Sequence, residues 1–277
     1  MEHSCIDTHV HFWKFDRKRD AWITDDMKIL QQDYLPENIA NSLKRNAVDG
    51  VVAVQADQSE LETHFLVELA GTHDIIKGVV GWVDLQADNV EERLAYFSRY
   101  KIIKGWRHIV QSESDDFLFG KKFRNGVSAL KPYNYTYDIL IYHRQLEAAL
   151  DFVSAFPDQR MVIDHCAKPD IMHKKMEDWK SFMLEMGRHP NVYCKLSGLF
   201  TEARWKQWSP GDFYPYLDTV FKAFGTDRLM YGSDWPVILV SGIYIQWKSL
   251  LEKYMEGFEE KDIQKIFGLN AIQFYDL

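Results

Sequence analysis

Apolar residues in this chain gather in short runs separated by longer amphipathic stretches, and the alternation is regular enough to predict a fold. The β-rich runs are Cys5–Phe12, Gly50–Gln55, Ile76–Val83, Ile102–Ile109, Ile139–Tyr142, Met161–Asp164, Val192–Leu196 and Leu229–Gly232. Several are continuously apolar instead of alternating, the pattern of parallel strands covered on both faces. Between them, Pro36–Asn46, Glu60–Thr72, Val90–Tyr100, His143–Phe156, Met176–His189 and Pro215–Phe224 carry helical periodicity. Strands alternating with helices predict a parallel sheet, and eight such units predict its closure into a (β/α)8 TIM barrel, an α/β fold formed by residues 1–277 as a single domain. A doubly wound open sheet would normally carry a glycine-rich phosphate loop after its first strand, where this chain has Thr8-His9-Val10-His11-Phe12-Trp13.

Two connections are longer than a βα unit needs. Gln111–Tyr137 follows the fourth run and reads as irregular, with short helices around Phe123–Leu130; Arg204–Asp212 follows the seventh. Loops of this length are often lids or binding loops, and a barrel puts every loop that follows a strand on its catalytic face.

Composition narrows the function. A length of 277 residues suits a barrel, and a formal charge of −8 argues against a nucleic-acid partner, which needs a basic face. No apolar run approaches the ~18 residues of a membrane span. The opening MEHSCIDTHVHFW has no signal-peptide layout, and Cys5, Cys166 and Cys194 lack the spacing of a disulfide or zinc framework. A cytoplasmic enzyme with a small-molecule substrate is expected; the pattern does not fix an oligomeric state.

The chemistry concentrates at three strand ends. His9 and His11 in Asp7-Thr8-His9-Val10-His11 are two apart on a strand and so project to one side. The sixth run ends in Asp164-His165-Cys166-Ala167-Lys168-Pro169 and the eighth in Gly232-Ser233-Asp234-Trp235-Pro236. A lone His-x-His is more often a hydrogen-bonded core pair. Imidazoles and a carboxylate at corresponding strand ends point to a site.

These motifs resemble the amidohydrolase superfamily, and within it the lactonase branch of L-fuconolactonase, L-rhamnono-lactonase and 2-pyrone-4,6-dicarboxylate lactonase. Gly81-Trp82-Val83-Asp84, Lys104 through Gln111 and Lys195-Leu196-Ser197-Gly198-Leu199 follow in the branch's order, so the resemblance covers nearly the whole chain. Unlike binuclear members, the chain offers one downstream histidine, and its seventh strand presents Lys195. The resemblance implies that a metal is not strictly required; a mononuclear divalent ion such as zinc on His9, His11, His165 and Asp234 is the alternative.

The expected reaction is lactone hydrolysis, with a sugar aldonolactone as substrate. Asp234 is the candidate general base, and His9, His11 and His165 would polarise the carbonyl. Without a metal, at least one of these histidines must act as a donor. Arg107, His108, Lys168, Gln55, Lys195 and Trp106 are the substrate-binding candidates, with only one of the neighbours Arg107 and His108 facing inward. The remaining histidines are read as surface or capping residues, and His3 as part of a mobile terminus. The alternatives are a metal-dependent decarboxylase or other hydrolase of the same superfamily, which would depend strictly on its ion, and a barrel that binds a sugar acid without turnover.

Overall fold

The computed structural model describes residues 4–277; His3 lies outside them. Its sheet has eight parallel strands in sequential order: β1 (Ile6–Val10), β2 (Gly50–Val54), β3 (Ile76–Gly81), β4 (Ile103–His108), β5 (Thr136–Ile139), β6 (Met161–Ile163), β7 (Val192–Leu196) and β8 (Leu229–Tyr231). The barrel closes just past β8, where Val10 pairs in parallel with Trp235 and the His11 amide donates to the Trp235 carbonyl at 2.7 Å. The helices Pro36–Arg45, Glu60–Thr72, Val90–Phe97, Lys121–Ser128, Leu146–Ala155, Glu177–Met186, Tyr214–Phe224 and Tyr244–Tyr254 follow the strands in turn, so each strand has a helix to cover its outer face. None of the described helices is long and apolar enough to cross a membrane.

Local sequence explains the helix starts. Pro36 opens its helix with φ already set and no amide to leave unpaired, and Ser59 caps the next by accepting from the Glu62 amide at 3.2 Å. The long connection after β4 holds the helix Lys121–Ser128, so it is a full βα unit with an extended approach.

The fifth strand lies three residues earlier than the apolar run predicts. Thr136–Ile139 pairs with β4 and β6, whereas Leu140 and Ile141 are buried beyond the strand's end. Hydrophobicity misplaced the strand because Asp138, a barrel-facing residue with a charged partner, interrupts the apolar pattern.

A bulge in β1 decides what faces inward. Asp7 pairs with Val51 and Val10 with Ala53, so three steps on β1 match two on β2. Both Asp7 and Val10 therefore face outward, and His9 and His11 face the barrel interior. Below them the interior is apolar: Ile6, Val52, Val80, Val162 and Met230 pack against Phe274 and Tyr275. The helix Asn270–Tyr275 thus closes the bottom of the barrel, each large buried side chain contributing roughly 1.5–3 kcal/mol.

Candidate active site

Four side chains converge at the top of the barrel, all nearly inaccessible to solvent. The Nε2 atoms of His9 and His11 are 3.1 Å apart. Asp234 Oδ1 lies 3.9 Å from His9 Nε2, 3.5 Å from His11 Nε2 and 3.8 Å from His165 Nε2. Strand β1 thus supplies two imidazoles, and the turns after β6 and β8 supply the third imidazole and the carboxylate.

The backbone at these turns is unusual. His165, Cys166, Ala167 and Lys168 all have positive φ, a left-handed turn of four non-glycine residues, and Asp234 has φ +60°. Each such residue costs on the order of 1–2 kcal/mol. Hydrogen bonds hold the first turn: the Lys168 amide donates to the His165 carbonyl at 2.9 Å, and Trp179 Nε1 donates to the Cys166 carbonyl at 2.7 Å. The Asp234 amide donates to the His9 carbonyl at 2.9 Å, which ties the carboxylate to the strand bearing two of the imidazoles. Asp7 makes a second tie from the outer face, its Oδ1 accepting from the Ser233 amide at 2.8 Å and from the His9 amide at 3.1 Å.

Beneath the imidazoles lies a layer of four buried charged residues, Arg107, Asp138, Asp164 and Lys195. The Lys195 ammonium meets Asp138 Oδ2 at 2.5 Å, Asp164 Oδ1 at 3.0 Å and His9 Nδ1 at 3.2 Å. Arg107 donates through Nη1 to Asp164 Oδ2 at 2.9 Å, and through Nη2 to the Gln55 carbonyl and, at 3.4 Å, to Gln55 Oε1. Tyr275 donates from below to Asp138 Oδ2 at 2.8 Å. Two cations and two anions balance, which such complete burial requires.

Electrostatics follow from burial and these partners. Burial holds His9 well below the ordinary imidazole range and pushes His165 down to about 4 against the pull of Asp234, so both are neutral near pH 7. Burial alone would raise the carboxyls of Asp234 and Asp164. Around Asp234 the imidazoles of His165 and His11 and the Lys168 ammonium outweigh it, and the group stays below the usual carboxylate range. Around Asp164, Lys195, His9 and Arg107 do the same.

Three of the four, His11, His165 and Asp234, open onto a cavity of about 160 Å³ whose polar lining also includes Arg107 and Lys168, while His9 is buried behind them. Trp22, Ile109, Leu140 and Val237 supply apolar wall. A wider depression of about 490 Å³ around Lys101, Tyr133 and Tyr275 has no histidine in its lining, so size alone would mislead.

The structure sorts the recognition candidates. Of the neighbours Arg107 and His108, Arg107 faces inward. His108 points outward, stacks on Phe117 with ring centroids 4.9 Å apart and meets Glu113 Oε1 at 2.8 Å, so it is not a substrate contact. Trp106 is likewise corrected: on the outer face of β4 it is fully buried between Phe97 and Tyr135. Gln55 and Lys195 point into the barrel but do not line the cavity. Gln55 donates to the Arg107 carbonyl at 3.1 Å, and Lys195 is consumed by its three partners, so both support other residues. Lys168 reaches the cavity, its ammonium loosely held 3.9 Å from Glu202 and over the Tyr142 ring.

Sequence reasoning missed Asp138, Glu202, Trp22 and, as a site residue, Asp164. Glu202 is a half-buried carboxyl raised by desolvation against the pull of Lys168, in a short helix no periodicity announces. Asp164 precedes His165 directly after the apolar strand Met161–Ile163, and that place was the available signal. Gln111 was also passed over; it lines the cavity with a buried, unpartnered Oε1.

The Amidohydrolase family model matches residues 6–277. The chain belongs to the amidohydrolase family. This amidohydrolase is 37% identical over 284 residues to an L-fucono-1,5-lactonase of Burkholderia multivorans, covering 98% of this chain and 96% of the relative. It is 33% identical over 279 residues to an L-fucono-1,5-lactonase of Burkholderia ambifaria, covering 98% and 94%. A crystal structure of an amidohydrolase from Burkholderia multivorans with bound zinc superimposes with a TM-score of 0.95 at 36% identity over 99% of each chain.

The donor set of this amidohydrolase fits one divalent ion. His9, His11 and Asp234 each offer a ligand atom, all within 4.8 Å of one another. Their spacings of 3.1, 3.5 and 3.9 Å bracket the edge of about 3.3 Å that a tetrahedral zinc site with ~2.05 Å bonds would have. His11 Nδ1 is 2.8 Å from the Val54 carbonyl, an outer hydrogen bond that turns the Nε2 lone pair inward. A second grouping, His9, Asp164 and His165, is already occupied by cations, because Lys195 and Arg107 hold Asp164.

Proposed function

We propose that the chain hydrolyses the ring ester of a sugar aldonolactone to the open hydroxy acid. The observation that carries this reading is the ionised Asp234 carboxylate at the rim of a small cavity, within 4 Å of three imidazole Nε2 atoms. The two relatives named L-fucono-1,5-lactonase support it, because they align over almost the full chain.

Ester hydrolysis needs an activated water, a polarised carbonyl and a proton for the leaving oxygen. Asp234 takes a proton from the attacking water, and its low proton affinity keeps it in the basic form through neutral pH. An N–H from the imidazole cluster donates to the carbonyl oxygen as charge develops there, and Arg107 adds positive potential from the same wall. Protonated Asp234 then returns its proton to the departing ring oxygen. When bound, a divalent ion held by His9, His11 and Asp234 would supply Lewis acidity to the same carbonyl. Lys168 donates to substrate oxygens from the polar wall, while Trp22, Ile109, Leu140 and Val237 cover an apolar face of the sugar. We place the enzyme in the cytoplasm.

The test is a pH-indicator assay over a panel of aldono-1,4- and 1,5-lactones with wild type and Asp234→Asn. Turnover of at least one lactone, reduced ~10³-fold or more in kcat by the substitution, is expected. Undiminished turnover in the variant, or no lactone hydrolysed by wild type, would remove the reading.

A further inference from the structure

Among the described residues, several side-chain nitrogens and oxygens are buried without a hydrogen-bond partner, and only two of them, Arg107 Nε and Gln111 Oε1, belong to residues that line the cavity. Orphaned polar atoms are uncommon inside a fold, and on a cavity wall they point to a partner from outside the chain. The two have opposite needs. Arg107 Nε–H is a donor without an acceptor, and Gln111 Oε1 is an acceptor without a donor. The other guanidinium nitrogens of Arg107 are already committed to Asp164 and Gln55, so only Nε is left over.

Gln111 is held so that its side chain, and not its backbone, is left to bind. Its amide donates to the Leu140 carbonyl at 3.0 Å, and its carbonyl accepts from Arg144 Nη2 at 3.0 Å. On either side of it, Gln145 Nε2 donates to the Val110 carbonyl at 2.7 Å and to the Glu113 carbonyl at 3.3 Å. Two side chains from the loop after β5 thus fix the backbone of this turn, and Val110 anchors it in the core. Ile109 and Leu140, which line the same cavity, have no donor to offer Oε1.

The chemistry of the missing partner follows from the two atoms. A hydroxyl both donates and accepts and so suits either of them, whereas an ionised carboxylate only accepts and leaves Oε1 unpaired. The place of Gln111 in the barrel says which hydroxyl. With eight strands closed in sequence order, β4 stands across the barrel from β8. Gln111 follows β4 and Asp234 follows β8, so a ring whose ester faces Asp234 turns its opposite carbons towards Gln111.

We infer that Gln111 is a specificity-determining residue that accepts a hydrogen bond from a lactone hydroxyl on a carbon across the ring from the ester bond. Arg107 Nε is the donor available to the oxygens on the same side. The inference rests on the reading of this site as a lactonase and deepens it: the preferred substrates are polyhydroxylated rings that carry no free carboxylate. A wall that reserves a polar group for a hydroxyl rejects the analogue without it more strongly than apolar walls do, because the buried group then stays unpaired.

The experiment uses the full chain, the best lactone of the panel and its monodeoxy analogues. For wild type, removal of one hydroxyl across the ring from the ester is expected to lower kcat/KM about tenfold or more. In Gln111→Leu, close in size but without a polar atom, the same two substrates should differ by no more than about twofold, through loss on the hydroxylated lactone and little change on the deoxy one. The ratio is taken within one protein, so damage to the fold that slows both substrates does not move it. Should Gln111→Leu not fold, Gln111→Asn, which keeps the amide but shortens its reach, is expected to lose the preference in the same way. A variant with the ratio of wild type overturns the inference and leaves the lactonase reading standing, and so does a wild type indifferent to every hydroxyl opposite the ester. Failure of wild type to hydrolyse any lactone overturns both.

Discussion

Gly198 lies against the ring of His165 so closely that a Cβ at this position would fall 2.6 Å from His165 Cγ and Nδ1. The residue also has φ +68°, so both conformation and contact exclude a side chain. Ser197, its neighbour, holds the same ring through Oγ, 2.9 Å from Nδ1. The end of β7 therefore sets the position of an imidazole that belongs to β6. Gly198→Ala is expected to lose about 1–3 kcal/mol in urea unfolding and, because His165 must move, about tenfold or more in kcat. An unchanged kcat would show that His165 need not be held there.

Lys168 combines a cavity-facing ammonium with φ +47°, a conformation that opposes any side chain. Lys168→Gly and Lys168→Ala should both raise KM for the best lactone about tenfold. The glycine variant should nonetheless be the more stable of the two by about 1 kcal/mol, the reverse of their order in a regular helix. Thermal unfolding of the pair checks the backbone half of this claim, and steady-state kinetics the chemical half.

Glu62 gives a pH signature away from the imidazole cluster. It is buried, its Oε1 accepts from the Ala56 amide at 3.1 Å, and burial pushes its pKa up from 4.5 to about 7. The folded chain therefore holds this proton where the unfolded chain has released it. Stability from this source is fully present below about pH 4.5 and lost as pH rises through 7. Glu62→Gln, which keeps the acceptor, should match wild type near pH 4.5 and exceed it by up to about 3 kcal/mol above pH 7. Urea titrations at both pH values measure the difference, and parallel pH dependences of the two proteins would contradict it.

Trp106→Phe tests the outward orientation of that residue. The indole nitrogen has no partner and the ring packs only between sheet and helices, so no hydrogen bond is lost. KM should stay within about twofold of wild type, while the smaller ring lowers stability by about 1–2 kcal/mol. A tenfold rise in KM would return Trp106 to the substrate's surroundings. Arg107→Lys, in contrast, breaks the paired contacts to Asp164 and Gln55 and should cost well over tenfold in kcat/KM.

The barrel and its principal site were legible because each rests on a local signal. Parallel strands covered on both faces are nearly pure apolar runs, and His9, His11, His165 and Asp234 stand where such runs end. Period-two alternation predicted that one of Arg107 and His108 faces inward, but not which, since the two neighbours differ only in parity. Asp138 was harder to read. A charged residue inside a barrel looks like the end of a strand until its partner is known, and its partner Lys195 lies 57 residues away in sequence. The apolar walls of the cavity come from four separate loops, whose course no periodicity encodes.

The extra residue in β1 has a consequence for how this chain tolerates change. Thr8 sits inside the irregular step between Asp7 and Val10. Shortening the chain by that one residue would restore even pleating and swing either the two imidazoles or the Asp7 latch to the opposite side of the wall. A point substitution along the strand alters one side chain, whereas a change in its residue count turns them all, because the opening segment works like a key whose teeth are all cut relative to a single notch.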